Sequence, residues 1–330
     1  MAALNWGILG TGRMAARFAR EVLTRPDHKL IACGSRSQAA ASKFGAEFGI
    51  AKTYASYEDL LSDPDVQVVY VSLPNHLHKE WAIRCAQGKK HILCEKPLTV
   101  NRREAGELID QVVANDVFLM EAFMYRCHPQ TFRLVDLIRG GRIGEVRMIH
   151  GHFSYNMGPN YANIRMSNPM AGGSIMDVGC YAVSLARLAV GAEPVECKAV
   201  AKIGPISRVD EQAALALYFP NGAVASLSCG MQVAADNTVT IYGSEGSIHL
   251  PAPWFGPPTD AKLVLRDKSG TTEEIAADAG GLGVYALEAE HVAEHLAARQ
   301  APAMTWADSV GNMAALDALR QSIGLRFDCE

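Results

Sequence analysis

No C-x-x-C pair occurs among the eight cysteines, which stand scattered at 33, 85, 94, 127, 180, 197, 229 and 329. In a chain of this size that spacing predicts reduced thiols used mostly as core filler, with neither disulfides nor a zinc site. No stretch approaches roughly 18 uninterrupted apolar residues, so no membrane span is expected. Nor is there a Lys/Arg block of about five or more. The net charge is −4, and a nucleic-acid surface is not expected either. The start, Met1-Ala2-Ala3-Leu4-Asn5, lacks a basic n-region and runs into a strand. No signal peptide is read there, and a cytoplasmic location is expected.

What is present is an ordinary globular composition, 49% hydrophobic and 20% charged over 330 residues, which is enough for two domains. The apolar run Leu4 to Leu9 ends in Gly10-Thr11-Gly12-Arg13-Met14-Ala15, after which Met14, Phe18, Val22 and Leu23 recur at helical spacing. Strand, glycine turn and helix in that order form a dinucleotide-binding fingerprint. The first glycine permits the turn, and the second lets a pyrophosphate approach the helix N-terminus. Leu9, Gly10, Thr11, Gly12, Arg13 and Met14 are therefore candidate cofactor contacts. The next strand, Leu30 to Gly34, ends in Ser35-Arg36-Ser37. A site selective for NAD would place Asp or Glu about there, to accept from the ribose hydroxyl. Hydroxyls and an arginine suit a 2′-phosphate instead, so Ser35 and Arg36 predict NADP(H) over NAD(H). The alternative is a solvated loop arginine.

A helix over Ala39 to Phe48, with Gly49 as its C-cap, leads to the β-branched run Val66 to Val71. Such a run suits a strand covered on both faces. It ends in Ser72-Leu73-Pro74-Asn75-His76-Leu77-His78. A helix from Glu80 to Gln87 and a strand from His91 to Cys94 bring the chain to Glu95-Lys96-Pro97. Alone, that triplet reads as a strand end with two solvated charges. The alternation of strands and helices, however, predicts a doubly wound parallel sheet, in which ligands bind beyond the carboxyl ends of the strands. Glu95 and Lys96 then share one rim with Gly10, Ser35 and Asn75. A helix over Ala105 to Val113, capped by Asn101, and a strand over Val117 to Ala122 complete a domain at residues 1–122.

The motifs so far, together with Met124-Tyr125-Arg126-Cys127-His128-Pro129 and Gly172-Gly173-Ser174-Ile175-Met176-Asp177-Val178-Gly179-Cys180-Tyr181, resemble the Gfo/Idh/MocA oxidoreductase family in order and spacing. The resemblance spans nearly the whole chain. Tyr181 stands where many members carry histidine, which is similar to the dimeric dihydrodiol dehydrogenase and NADP-dependent D-xylose dehydrogenase branch. The resemblance implies cofactor contacts from Leu73, Pro74, Asn75, His78, Glu95, Lys96 and Pro97, with the Lys96–Pro97 bond cis. It also implies that Arg165 approaches the cofactor or substrate and that Tyr285 packs on the nicotinamide side, the alternative for Tyr285 being a packing aromatic.

The second half reads differently. After the turn Arg139-Gly140-Gly141-Arg142, strand candidates run over 146–155, 195–203, 213–219, 223–232, 238–242, 247–250, 262–266 and 271–275. Their connectors, such as Pro220-Asn221-Gly222 and Asp267-Lys268-Ser269-Gly270, are hairpin signals. The expected fold is thus an α/β Rossmann domain followed, at 123–305, by an α+β domain with a large, mainly antiparallel open-faced sheet. By the resemblance, the open face packs against another subunit in a homo-oligomer, a dimer or tetramer. The resemblance also implies that a last helix, at 306–330, returns to the nucleotide domain.

Hydride transfer at a carbinol needs a held nicotinamide, a group that exchanges the hydroxyl proton, and a charge for the developing alkoxide. A phenol with a pKa of about 10 exchanges its proton more readily beside a cation. The expected catalytic residues are Tyr181 as acid/base, Lys96 as the cation and Asp177 as an orienting or substrate-binding carboxylate, with Glu95 mainly a positioner. Tyr125, Arg126, His128, Tyr155, Asp177 and Tyr181, with His76, are the expected lining for a small sugar, polyol or diol; His128 reads equally well as structural. Oxidation of an aldose at C1 or of a vicinal diol leads, and reduction of a ketosugar such as 1,5-anhydrofructose comes next. A non-catalytic NADP-binding sensor, or glycoside hydrolysis through a retained NAD, are the readings of other classes.

Overall fold

In the computed structural model, which describes residues 3–330, the chain divides into two compact units. One is Met1–Met124 with Leu282–Ser309, the other Tyr125–Gly281 with Val310–Glu330. Met1 and Ala2, the head of the stretch read as lacking a signal peptide, lie outside the described residues.

In the first unit β1 (Leu4–Leu9), α1 (Arg13–Val22), β2 (His28–Gly34), α2 (Gln38–Phe48), β3 (Lys52–Tyr54) and α3 (Tyr57–Ser62) come first. Then follow β4 (Val68–Val71), α4 (His78–Gln87), β5 (His91–Glu95), α5 (Arg102–Asn115) and β6 (Leu119–Ala122). The strands lie in the order β3-β2-β1-β4-β5-β6, every pair parallel. Strand order reverses between β1 and β4, which puts the glycine turn after β1 and the Ser72 loop after β4 at the switch point. All four residues of β4 are buried, as a strand covered on both faces requires. Beneath it Phe18 stacks on Tyr70 at 4.0 Å and meets Trp6 edge-on at 5.3 Å. Gly49 does end α2 in the left-handed conformation, and Asn101 does cap α5, accepting from the Glu104 amide at 3.0 Å. Helix α3 was not legible in the sequence because it is a turn and a half long.

In the second unit, α6 (Pro129–Arg139), β7 (Val146–Ser154) and α7 (Cys180–Val190) precede a run of strands. These are β8 (Glu196–Ile203), β9 (Asp210–Tyr218), β10 (Val224–Gly230), β11 (Val239–Gly243), β12 (Gly246–Leu250), β13 (Lys262–Asp267) and β14 (Thr272–Ala276). They form one sheet in the order β14-β13-β12-β11-β7-β10-β9-β8. Only the β7–β10 pair is parallel. Burial alternates along β9 from Glu211 and along β10 as far as Cys229: Leu215, Leu217, Ala225 and Leu227 face the core, whereas Ala214, Ala216, Ser226 and Ser228 are exposed. The stretch Asn168–Val190 is long and apolar enough by composition to cross a membrane, but 89% of its most apolar window is buried in the fold. Six of the eight cysteines, at 33, 85, 94, 127, 180 and 229, are buried.

Helix α8 (Val284–His295) and helix α9 (Trp306–Ser322) close the chain. The division into units differs from boundaries at 122/123 and 305/306. Helix α8 packs on α1, where the Tyr285 amide donates to Glu21 at 2.8 Å, so it belongs with the first unit. From Val310 onward the chain belongs with the second unit, where Asn312 donates to the Cys180 carbonyl at 3.3 Å and Ser322 accepts from the Ala199 amide at 2.9 Å.

Replacing the cap of α5, Asn101→Ala, is expected to cost about 1 kcal/mol in a denaturant titration.

Candidate active site

In the first unit the glycine turn is built as a ligand approach requires. Gly10 has φ +92°, and a Cβ there would stand 2.7 Å from the Ser72 carbonyl oxygen, so only glycine fits. A Cβ on Gly12 would meet nothing within 4 Å, and no side chain caps the N-terminus of α1. The space over its first amides is open, which suits a pyrophosphate. Arg13 and Met14 begin the helix, and Leu9 is its buried approach. Thr11 reaches toward the Ser35 hydroxyl at 3.4 Å, which brings the turn to the end of β2; Arg36 beyond it is exposed.

The loops after β4 and β5 are tied together by one buried imidazole. His78 meets the Leu73 carbonyl with Nε2 and the Pro97 carbonyl with Nδ1, each at 2.8 Å. His78, expected among the cofactor contacts, has both ring nitrogens engaged by backbone. Pro74 and Asn75 open the short turn before it. The Lys96–Pro97 bond is cis. Glu95 is not a solvated strand end: it is buried and accepts from the Tyr70 hydroxyl. Lys96 is half-buried. Tyr285, expected to face the nicotinamide, lies buried on α8 with the Arg17 guanidinium 5.6 Å over its ring. Burial, then the charge of Glu95, pushes its phenol well up.

In the second unit two glycines of the Gly172-Gly173 motif have distinct reasons. A Cβ on Gly172 would lie 2.4 Å from the Arg165 carbonyl, and one on Gly173, whose φ is +106°, would lie 2.2 Å from Asp210 Oδ1. That close approach lets Asp210 grip the helix that follows: its Oδ2 accepts from the Ser174 hydroxyl at 2.7 Å and the Ile175 amide at 2.6 Å. The helix begins as a π-helical segment, Ile175–Gly179, before α7 takes over. Asp177 lies in this wider turn, whereas Tyr181 and Leu185 lie in α7, so the three do not share the single regular α-helical face expected for them; such a local irregularity is often found at functional sites. Asp177 is buried with both oxygens used, accepting from the Tyr155 hydroxyl at 2.5 Å and from Arg165 Nε at 2.9 Å. Tyr155, Arg165 and Asp177 are therefore brought together, with Arg165 engaged by the carboxylate.

Tyr181 is buried among rings, with Phe153 at 5.2 Å, Tyr125 at 5.8 Å and Trp254 at 6.0 Å. The other lining candidates are engaged within the fold. Tyr125 spends its hydroxyl on Ser184 at 2.8 Å, and Arg126 is buried. His128 is a helix cap: Nδ1 accepts from the Gln130 amide at 3.0 Å, which leaves Nε2 to donate to the Pro257 carbonyl at 3.2 Å. It takes its structural reading, and burial lowers its pKa. Sequence reasoning missed Asp210, Phe153 and Trp254. Trp254 had a signal, an aromatic in the proline-rich turn Pro251-Ala252-Pro253-Trp254-Phe255. Asp210 had none, since it opens a strand far from the helix it holds.

Two family models match the chain: "Oxidoreductase family, NAD-binding Rossmann fold" over residues 4–123 and "GFO/IDH/MocA C-terminal domain" over residues 132–249. The chain is 32% identical to the D-xylose 1-dehydrogenase (NADP(+)) 2 of Haloferax volcanii, over 97% of each chain. It is also 32% identical to the trans-1,2-dihydrobenzene-1,2-diol dehydrogenase of Xenopus laevis, over 98% of this chain and 99% of that one. Among solved structures, KijD10, a 3-ketoreductase from Actinomadura kijaniata in complex with NADP and TDP-benzene, superimposes with a TM-score of 0.88 at 28% identity, covering 97% of this chain and 98% of that one.

The grip of Asp210 has a pH signature. Burial is the largest influence and pushes its carboxyl up to about 6, although its donors pull the other way. Between about pH 4 and pH 6 the folded state therefore holds a proton that the unfolded state has released, and the stability this contributes is full below that window and lost as pH rises through it. The unfolding free energy of the wild type relative to Asp210→Asn is expected to fall by about 3 kcal/mol across the window, read from denaturant titrations at each pH.

Proposed function

Because this chain belongs to the Gfo/Idh/MocA oxidoreductase family, with dehydrogenase and reductase relatives acting on sugar or diol hydroxyl groups, we propose that it is an NADP-dependent dehydrogenase of a sugar or vicinal diol. The observation that carries this reading is the end-to-end identity of 32% with an NADP-dependent D-xylose 1-dehydrogenase. Aldose oxidation at C1 is the first activity to test, with trans-dihydrodiols second. The 3-ketoreductase likeness favours a second reading in the opposite direction, reduction of a ketosugar. A cytoplasmic location is part of the proposal.

The residues divide the work as follows. Gly10, Thr11 and Gly12 cradle the pyrophosphate at the open N-terminus of α1, and Ser35 and Arg36 take the 2′-phosphate. The bound nicotinamide supplies the hydride acceptor or donor. Glu95, fixed by Tyr70, shapes the turn that presents Lys96. Lys96 provides the positive charge that a developing alkoxide needs. Tyr181 exchanges the hydroxyl proton, and its cage of rings keeps the phenol in one orientation. Asp177, held by Tyr155 and Arg165, binds a substrate hydroxyl or orients the reacting groups.

The exposed face of the second unit's sheet is the proposed subunit interface. Strand register lines up Tyr218, Val224, Met148 and Tyr242 in one row and Ala216, Ser226, His150, Thr240 and His249 in the next. A row of exposed large side chains beside a row of mostly smaller ones offers a surface against which a second sheet can pack, in a homodimer or tetramer.

Lys96→Met and Tyr181→Phe should each lose about a hundredfold or more in kcat while NADPH titration by fluorescence still shows binding. Full turnover by Tyr181→Phe would remove it from the acid/base role. Arg36→Asp should raise the KM for NADP by about tenfold or more and leave the KM for NAD unchanged or lower, measured with the same sugar.

A further inference from the structure

Behind Glu95 the first unit buries more acid than its surroundings can ionise. Glu288, on α8, is fully buried, and neither of its carboxyl oxygens has a hydrogen-bond partner. Tyr285 lies three residues earlier on the same helix face, and its hydroxyl is likewise buried without one. From β5 the charge of Glu95 bears on Glu288, and from α1 that of Glu21. From β4, Tyr70 donates to Glu95 and feels both Glu288 and Tyr285. Arg17, a cation on α1, lies over the Tyr285 ring. Glu21 is already engaged, accepting from the Tyr285 amide.

We infer that Glu288 is a positioning residue which stays protonated at neutral pH and, as a hydrogen-bond donor to Glu95, backs the Glu95-Lys96-Pro97 turn. Two carboxylates in one dry pocket repel, and the ionised form of a fully buried acid is costly. Burial and the neighbouring Glu95 and Glu21 raise the Glu288 pKa well above the usual carboxylate range. Tyr70 already directs its proton at Glu95, which marks Glu95 as the acceptor of the cluster. A proton on Glu288 removes the repulsion and converts an acceptor-only group into a donor. The inference rests on the dehydrogenase reading only for what the turn then does.

The direct test is infrared difference spectroscopy of wild type against Glu288→Gln. A protonated-carboxyl band at about pH 8 that disappears in the variant is expected; its absence from the wild type overturns the inference. Should Glu288→Gln not fold, native protein labelled with carboxyl carbon-13 glutamate answers the same question by NMR. One glutamate resonance should remain in its protonated position from about pH 5 to pH 8, and full titration of every glutamate in that range overturns the inference. Positioning is separated from space-filling by kinetics: Glu288→Leu should lose about tenfold or more in kcat/KM, and Glu288→Gln, which keeps a donor, should recover most of it. Wild-type kinetics in Glu288→Leu overturns the positioning role. The spectroscopic readout needs no substrate, so a protein that shows the band yet turns over no sugar or diol keeps this inference and defeats the dehydrogenase reading.

Discussion

A carboxylate taken out of water needs donors, and removing those donors leaves a cost of several kcal/mol with no compensation. Each unit of this protein has such a carboxylate behind its candidate residues. In the first, Glu95 is met by Tyr70, whose own position comes from stacking on Phe18 beneath the sheet. In the second, Asp210 is met by Ser174 and the Ile175 amide, and Asp177 by Tyr155 and Arg165. The polar side chains that carry chemistry are therefore not placed one by one. They are held by donors that have little freedom to be anywhere else.

The sheets supply that rigidity in two ways. The parallel sheet of the first unit buries β4 on both faces, so the loop after it starts from a fixed point, and His78 then locks that loop to the one after β5 through two carbonyls. The larger sheet of the second unit buries one face only. Its covered side gives Asp210 a fixed base in β9 and Phe153 a fixed base in β7. Its other side is left with alanines, serines and histidines in register.

How far the fold could be read in advance follows from the range of each signal. Strands, helices and the glycine turn carry their information within a few residues: Gly10 precedes a helix, Asn101 precedes Glu104 by one helical turn, and β9 and β10 alternate visibly. Roles fixed by distant partners could not be read that way. His78 meets carbonyls on two separate loops, and His128 reaches Pro257 as well as capping its own helix. Tyr285 is buried with Arg17, a residue far back in the chain on α1, over its ring. Gly173 was recognised as part of a motif, but the reason it must be glycine is Asp210, 37 positions away in the chain.

The π-helical segment over Ile175–Gly179 holds one residue more than an α-helical turn would. Removing that one residue would let the helix run as a regular α-helix from Ser174 and would leave the turns beyond it close to where they stand, with Tyr181 still in its cage of rings. The same deletion inside α7, where no extra residue is held, would turn everything beyond it by about 100° relative to the Asp210 anchor. The wide turn is therefore a place where the length of the chain can change by one residue without moving the side chains that follow.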